Sequence, residues 1–256
     1  MTYVEQSGFL GTFTLVAAIK NAMVAAGWSL VYDGTGSNIS GNRVVAVKIK
    51  SQVNSGGTTD PEYFYAIFED EGGTAVSMRT AQGMSLAGVA VNFTPNADRV
   101  LITPPLTPFT MILIFTGEAV ALVTADTAFN YEGGFLCSLI TALPSGHPDR
   151  NNAFALGAIN NISQVWALSS GTVYPAGDYD LVVPLLSNAL SPVTSKYHLM
   201  PIGVKQGVDR FIGFLMGIYK VADLSLNVAD ILQTATNDYR VIKQTSATEF
   251  IVVLES

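Results

Sequence analysis

Few residues of this chain have the types and spacing that chemistry requires. The 256-residue sequence contains two histidines, His147 and His198, and one cysteine, Cys137. Neither histidine has a second His or Cys within a few positions, as the ligand spacing of a metal site would require. His198 is typical of a half-buried strand histidine. Cys137 lies in an apolar run, where a thiol usually packs as a small hydrophobe. We therefore predict no metal site and no nucleophilic cysteine.

The acidic and glycine-rich segments give equally weak signals. Asp178 and Asp180 could place two carboxylates on one side of a strand, as glycoside hydrolases do, but a bare Asp-x-Asp is common. The run Glu69-Asp70-Glu71 is most simply a solvated hairpin turn. Residues 33–38 contain Gly-x-Gly but neither the third glycine nor the helix of a dinucleotide site, so we expect a loop. The sequence predicts no catalytic residues, no cofactor and no enzymatic activity.

Composition limits the partners of the chain. Only 13% of residues are charged and 49% are hydrophobic, and the formal net charge is −7. The basic residues are scattered, with Lys48 and Lys50 the nearest approach to a cluster, so we predict no nucleic-acid surface. The uncharged stretch 101–117 carries three prolines and cannot form a membrane-spanning helix. So much apolar surface with so little charge predicts burial in contacts with other subunits.

One segment has helical periodicity. Apolar residues recur at three- and four-residue spacing between positions 12 and 27, and Gly27 is well placed to end the helix in the left-handed conformation. The residues that carry this period are Leu15, Val16, Ile19, Met23 and Ala26. The sequence thus predicts one N-terminal α-helix at about residues 12–27.

The remaining signals are almost all those of short strands. Turn formers separate them, with hairpin turns expected at 70–73 and 116–118. Only in residues 221–236 do the apolar residues follow neither a helical nor a strand period. We allow one short helical turn there. The predicted strands are 43–50, 62–69, 75–80, 86–93, 110–115, 119–124, 135–143, 153–159, 165–168, 179–186, 197–204, 211–218, 238–243 and 249–254. These runs predict a mainly β fold, β-sandwich-like or a mixed antiparallel β assembly.

Two regions are predicted along the chain. The loop at 144–148 is dense in turn formers and divides residues 1–143, the helix with a first β region, from residues 149–256. The second region forms its own unit or packs into the same domain. Residues 110–124 lack polar alternation, which predicts strands covered on both faces. We expect this segment in the central sheet, close to a subunit interface.

The order of elements resembles that of virion structural proteins of tailed bacteriophages. The resemblance begins with three N-terminal segments. They are a helix ending in Ala25-Ala26-Gly27-Trp28, a Gly-rich strand and the strand at 44–48. The aromatic run EYFYAIFE, a hydrophobic strand pair, the Gly-Phe-Leu passage with its Pro-rich loop, and a last hairpin follow. These later segments are 62–69, 109–115 with 119–125, 131–136 with 143–146, and 238–242 with 248–255.

The resemblance implies a non-enzymatic subunit of the tail, baseplate or head-to-tail connection. It implies a homo-oligomer, ring or sheath-like, in contact with other virion proteins. It also implies localisation in the virion after assembly in the host cytoplasm. The alternative is a carbohydrate-binding β-sandwich that serves in adsorption, because exposed aromatic rings can stack on sugars. The aromatic residues considered for that role are Tyr63, Tyr65, Trp166 and Tyr174.

Overall fold

A computed structural model describes most of the chain, and all structural statements below concern that part. The described residues are 2–35, 43–48, 65–84, 90–93, 100–104, 107–115, 119–126, 131–141, 154–158, 165–169, 172–173, 179–182, 199–206, 210–222, 226–228, 230–246 and 249–255. They form one α-helix and nineteen β-strands, and every strand pair among them is antiparallel. The fold is mainly β with one N-terminal helix, as predicted.

The elements follow one another along the chain in a simple order. They are β1 (Thr2–Phe9), α1 (Thr12–Ala25), β2 (Ser29–Thr35), β3 (Arg43–Lys48), β4 (Tyr65–Glu71), β5 (Ala75–Met84), β6 (Ala90–Phe93), β7 (Val100–Ile102), β8 (Phe109–Phe115), β9 (Ala119–Ala125), β10 (Tyr131–Thr141), β11 (Phe154–Ala158), β12 (Val165–Ser169), β13 (Thr172–Val173), β14 (Tyr179–Val182), β15 (Met200–Gln206), β16 (Arg210–Ala222), β17 (Ile231–Gln233), β18 (Asp238–Ser246) and β19 (Glu249–Leu254).

The strands form two sheets. A thirteen-stranded sheet has the order β1-β8-β9-β10-β16-β19-β18-β17, with β11 to β15 attached at its side. A six-stranded sheet has the order β2-β3-β4-β5-β6, with β7 paired to β5. The larger sheet contains strands from both predicted regions, because β10 pairs with β11 and with β16. Among the described residues between 221 and 236 no helix is assigned, but the Asp230 N–H donates to the Asn227 carbonyl at 3.2 Å and closes a single turn before β17.

Helix α1 ends as its sequence predicts. Gly27 has φ +89°, and the Gly27 N–H donates to the Val24 carbonyl at 2.9 Å. The Trp28 N–H donates to the Met23 carbonyl at 3.0 Å. These two bonds make a Schellman motif, which satisfies carbonyls at the helix end and needs a residue with positive φ. The chain then turns directly into β2.

The β4–β5 hairpin holds the start of the helix. Its turn is built on Gly72 and Gly73, both with positive φ, so the predicted turn is confirmed one or two residues later than expected. Asp70, the residue before the end of β4, accepts a hydrogen bond from the Gly73 N–H at 3.0 Å. It also accepts one from the hydroxyl of Thr12, the first helical residue. A carboxylate near a helix N-terminus is favoured by the helix dipole.

The two sheets and the helix enclose one main hydrophobic core. Leu15, Val16, Ile19 and Met23 of α1 are fully buried there. The helix face predicted from periodicity is therefore the buried face, apart from the exposed Ala26. Alternate residues of β8 and β9 contribute from the large sheet, and those of β3, β4, β5 and β7 from the small one. Sheet packed on sheet, with side chains of the inner faces meeting, gives the fold its β-sandwich-like character.

Strands β8 and β9 are buried on both faces within the chain itself. Met111 and Leu113 face the main core, whereas Ile112 and Ile114 lie on the opposite face with exposures of only 4% and 3%. Burial on both faces within one subunit therefore explains why these strands lack polar alternation. No neighbouring subunit is needed to cover them. Strand β8 is second from one end of the large sheet, next to β1.

The large sheet curves, so that a residue of β18 reaches the Ile112 and Ile114 face of β8 beside β1. Tyr3 of β1 pairs with Ile114 and therefore shares its face. The Tyr3 ring also lies 4.5 Å from the guanidinium carbon of Arg240 on β18, near the other end of the sheet. Strand β16 bends at Gly217, which has φ +76°, between its pairing with β10 and its pairing with β19.

Gly134 marks a close approach of the two sheets, and we expect Gly134→Ala to destabilise the fold by about 1–3 kcal/mol through overpacking. A Cβ at this position would lie 2.7 Å from Val100 Cγ1 and 3.3 Å from Ile102 Cδ1. Urea unfolding measures the loss. Val100→Ala removes the nearest atom, so the double variant should cost less than the sum of the two single variants. Additive losses would contradict this account.

Candidate functional site

The free edge of β1 is the first part of the candidate site. Strand β1 begins the large sheet and, within the described residues, pairs only with β8. Its residues from Glu5 to Gly8 are exposed, and Thr2 to Val4 are half-buried. An edge strand presents a row of backbone donors and acceptors that a further strand can use.

An open groove runs between this strand and the helix. It has a volume of about 660 Å³. One wall is β1, through Thr2, Val4 and Gln6, and the other is the outward face of α1, which is mostly alanine. Small side chains on the helix leave this space between α1 and the β1 side chains that face it.

Most of the exposed large apolar side chains lie on α1 or within five residues of it. Six large hydrophobic residues of the described chain are exposed, and four of them lie between positions 10 and 30. These four are Leu10 at 76%, Phe13 at 51%, Val24 at 41% and Leu30 at 44% exposure. The other two, Leu101 and Ile231, lie on β7 and β17. Exposed apolar groups concentrated on one part of a surface are characteristic of interaction sites.

The opposite face of β1 is anchored to the end of the chain. Arg240 makes two hydrogen bonds to the Glu255 carboxylate, at 3.0 and 3.1 Å, while its guanidinium lies over the Tyr3 ring. Burial and a hydrogen bond donated to Glu5 raise the pKa of the Tyr3 hydroxyl above its usual value. Burial alone would lower the pKa of Arg240, but the Glu255 hydrogen bonds outweigh it and raise that pKa. Tyr3 and Arg240 therefore stay neutral and cationic respectively at neutral pH.

A surface ion cluster lies on the other side of the helix. Asp33 accepts hydrogen bonds from Lys20 at 2.8 Å and from Arg43 at 3.0 and 3.1 Å. Burial would raise the pKa of Asp33, but these hydrogen bonds outweigh it and lower that pKa. Arg43 also lies 5.2 Å from the centre of the Phe13 ring. The cluster fixes α1 against β2 and β3.

The most buried charges of the described chain form a pair in the β4–β5 hairpin. Arg79 donates a hydrogen bond to the Glu69 carboxylate, and the two side chains are 2% and 0% exposed. The expectation of a solvated Glu69-Asp70-Glu71 turn is therefore wrong. Strand β4 continues through Glu71, and Asp70 is only 5% exposed. No solute can reach the ion pair, so we assign it a structural role and no chemistry.

The residues singled out from sequence are not gathered into one site. Tyr65 lies on β4 of the small sheet and Trp166 on β12 of the large one. Cys137 lies on β10, opposite Ala119 and Ala155, and Asp180 on β14 opposite Lys205. Lys48 ends β3. The others, His147, His198, Tyr63, Tyr174, Asp178 and Lys50, lie outside the described residues.

The described residues show neither a metal-binding cluster nor a membrane-spanning helix. They contain no group of three or more His, Cys, Asp or Glu side chains that could hold a metal ion. No helix among them is both long and apolar enough to cross a membrane.

Comparison of the chain with protein-family models and with curated proteins found no match. The fold itself defines a mainly β protein of β-sandwich-like architecture with one helix packed into the core. Its most distinctive surface is the free edge of β1 beside α1.

Proposed function

We propose that the protein is a non-enzymatic structural subunit of a bacteriophage particle, part of the tail, baseplate or head-to-tail connection. It acts by assembling with copies of itself and with other virion proteins. The phage assignment rests on the order of elements in the sequence. The assembly role rests on the surface described above.

One observation carries the assembly role. Four of the six large hydrophobic residues that are exposed among the described residues lie on α1 or within five residues of it, in a chain with only 13% charged residues. Monomeric proteins rarely leave apolar groups concentrated in this way, and interface cores are depleted in charge. The deeply buried Arg79–Glu69 pair and the apolar core offer no reactive group to solvent, which agrees with a structural role.

Two measurements test the proposal. Analytical ultracentrifugation of the purified chain should give a mass that is a multiple of 27.1 kDa. Mass spectrometry of purified phage particles should find the chain among the particle proteins. Leu10→Ser/Phe13→Ser should weaken self-association, because it removes the two most exposed large apolar side chains of the described residues. Leu101→Ser is the control, since it removes an exposed leucine from β7 of the other sheet.

Two outcomes would contradict the proposal. A chain that is monomeric at every concentration and absent from purified particles is not a particle subunit. Equal weakening by Leu101→Ser would mean that the apolar groups around α1 have no special part in assembly.

A further inference from the structure

We propose that β1 is a cover strand, which shields β8 and opens from it as one unit. Opening separates residues 2–6 from β8 about a hinge at Gly8, while the rest of the chain stays folded. The closed strand keeps β8 from becoming an exposed edge of the large sheet. This inference concerns the fold of one chain, and it holds whether or not the chain is a particle subunit.

Strand β8 is poorly suited to an exposed edge. Its sequence FTMILIF is apolar apart from Thr110, and every residue except Thr110 is buried. With β1 open, one row of its backbone donors and acceptors would be unpaired between two apolar faces. Such an edge pairs with strands of other chains and aggregates. Strand β1 is instead largely polar and has an irregular register between Gln6 and Phe9, and charges and bulges are features that block an edge.

Few contacts hold the cover strand in place. Among the described residues it pairs with β8 alone. Its side chains Thr2, Val4 and Gln6 face α1 across the open groove, so the helix does not clamp them. Val4 is only partly buried, against the main core. A strand with one ladder and little apolar burial opens locally at a lower cost in free energy than the whole domain.

The opposite face of the cover strand carries one further contact, which we call the latch. The Tyr3 ring lies 4.5 Å from the guanidinium carbon of Arg240 on β18, and the Tyr3 hydroxyl donates to Glu5. Arg240 is fixed in turn by two hydrogen bonds to Glu255. A cation over an aromatic ring is strong enough to shift a local opening equilibrium severalfold. The latch therefore ties β1 to a strand with which it shares no ladder in the described sheet.

The hinge and an anchor lie at the end of β1 that leads into α1. Gly8 has φ +89°, and the register with β8 is irregular between Gln6 and Phe9. Phe9 is 6% exposed and stacks on Phe109, with the ring centroids 5.6 Å apart. The strand can thus separate as far as Gly8 without withdrawing Phe9 from the core.

Amide hydrogen exchange, followed by NMR, tests the opening, and β8 contains its own control. Along β8 the amides alternate between partners on β1 and partners on β9. We expect the amides that face β1 to exchange at least about tenfold faster than those that face β9, which need global unfolding. Equal protection of the two sets would overturn the proposal, because β1 would then unfold only with the whole chain.

Tyr3→Leu tests the latch. It keeps an apolar side chain but removes the ring from Arg240, so exchange of the β1-facing amides should rise about threefold to tenfold. Phe13→Leu is the matched control, since it removes a ring that lies 5.2 Å from the Arg43 guanidinium. Opening of β1 leaves that contact intact, so the control should not change exchange of the β1-facing amides. No rise with Tyr3→Leu, or an equal rise with Phe13→Leu, would overturn the latch.

A reversible cross-link tests the protective role. Val4 lies opposite Leu113 in the ladder, and cysteines at opposite positions are within reach of a disulfide. In Val4→Cys/Leu113→Cys/Cys137→Ala, the oxidised protein should lose the faster exchange of the β1-facing amides. Well below both unfolding midpoints, it should also aggregate more slowly than the same protein after reduction, as measured by thioflavin T fluorescence. Aggregation at the same rate in both forms would overturn the protective role.

Discussion

Replacing Arg79 by methionine is expected to lower the free energy of unfolding by about 3–5 kcal/mol. The substitution leaves the Glu69 carboxylate, which is 0% exposed, without the cation that donates to it. An uncompensated buried charge is far more costly than the loss of a surface ion pair. Urea unfolding followed by far-UV circular dichroism measures the difference, provided that the slope with urea concentration is unchanged.

Two matched variants distinguish this explanation from a simple loss of packing. Glu69→Leu/Arg79→Met removes both charges and should recover most of the stability, because apolar replacements of buried ion pairs are often neutral. Lys20→Met breaks the more exposed Lys20–Asp33 pair and should cost less than about 1 kcal/mol. A loss of that small size for Arg79→Met would show that Glu69 is not held in a charged state by Arg79.

The helix and the hairpin turn were predictable because their signals are local. Apolar spacing defined one face of α1, and Gly27 and the Gly72-Gly73 pair supplied the positive φ that their turns require. The buried ion pair was not predictable. Glu69 and Asp70 precede a turn in the sequence, which usually means solvent, and their burial depends on Arg79 and Thr12 from other elements.

Strand β1 was not predicted from the sequence, for a related reason. Its run TYVEQSGF holds one aliphatic residue among polar ones, because an edge strand with exposed side chains needs little apolar alternation. Its place is set by pairing with β8, more than 100 positions away along the chain. The candidate site therefore follows from tertiary structure, whereas the low charge that indicates an interface is visible in the composition.

The missing alternation in residues 110–124 correctly predicted strands covered on both faces. It could not predict what covers them. A second layer of the same chain and a neighbouring subunit both exclude water from a strand, and the sequence pattern is identical in the two cases. The contact between Tyr3 and Arg240 places a residue of β18 on this face, within the same chain.

Ile112→Asp and Ile114→Asp are each expected to cost more than about 3 kcal/mol of unfolding free energy, enough to unfold many domains at room temperature. The two side chains are 4% and 3% exposed, on the face of β8 opposite the main core. A carboxylate there loses its hydration. Thermal unfolding and urea unfolding measure the loss.

The same variants decide whether this face belongs to the core or to a subunit interface. If the face is core, the loss of stability is the same at low and high protein concentration, because no second copy takes part. Ile231→Asp is the control, since Ile231 is 47% exposed on β17 and should change stability by less than about 0.5 kcal/mol. Variants at Ile112 and Ile114 that fold normally but lose only their oligomeric state would move β8 from the interior to an interface.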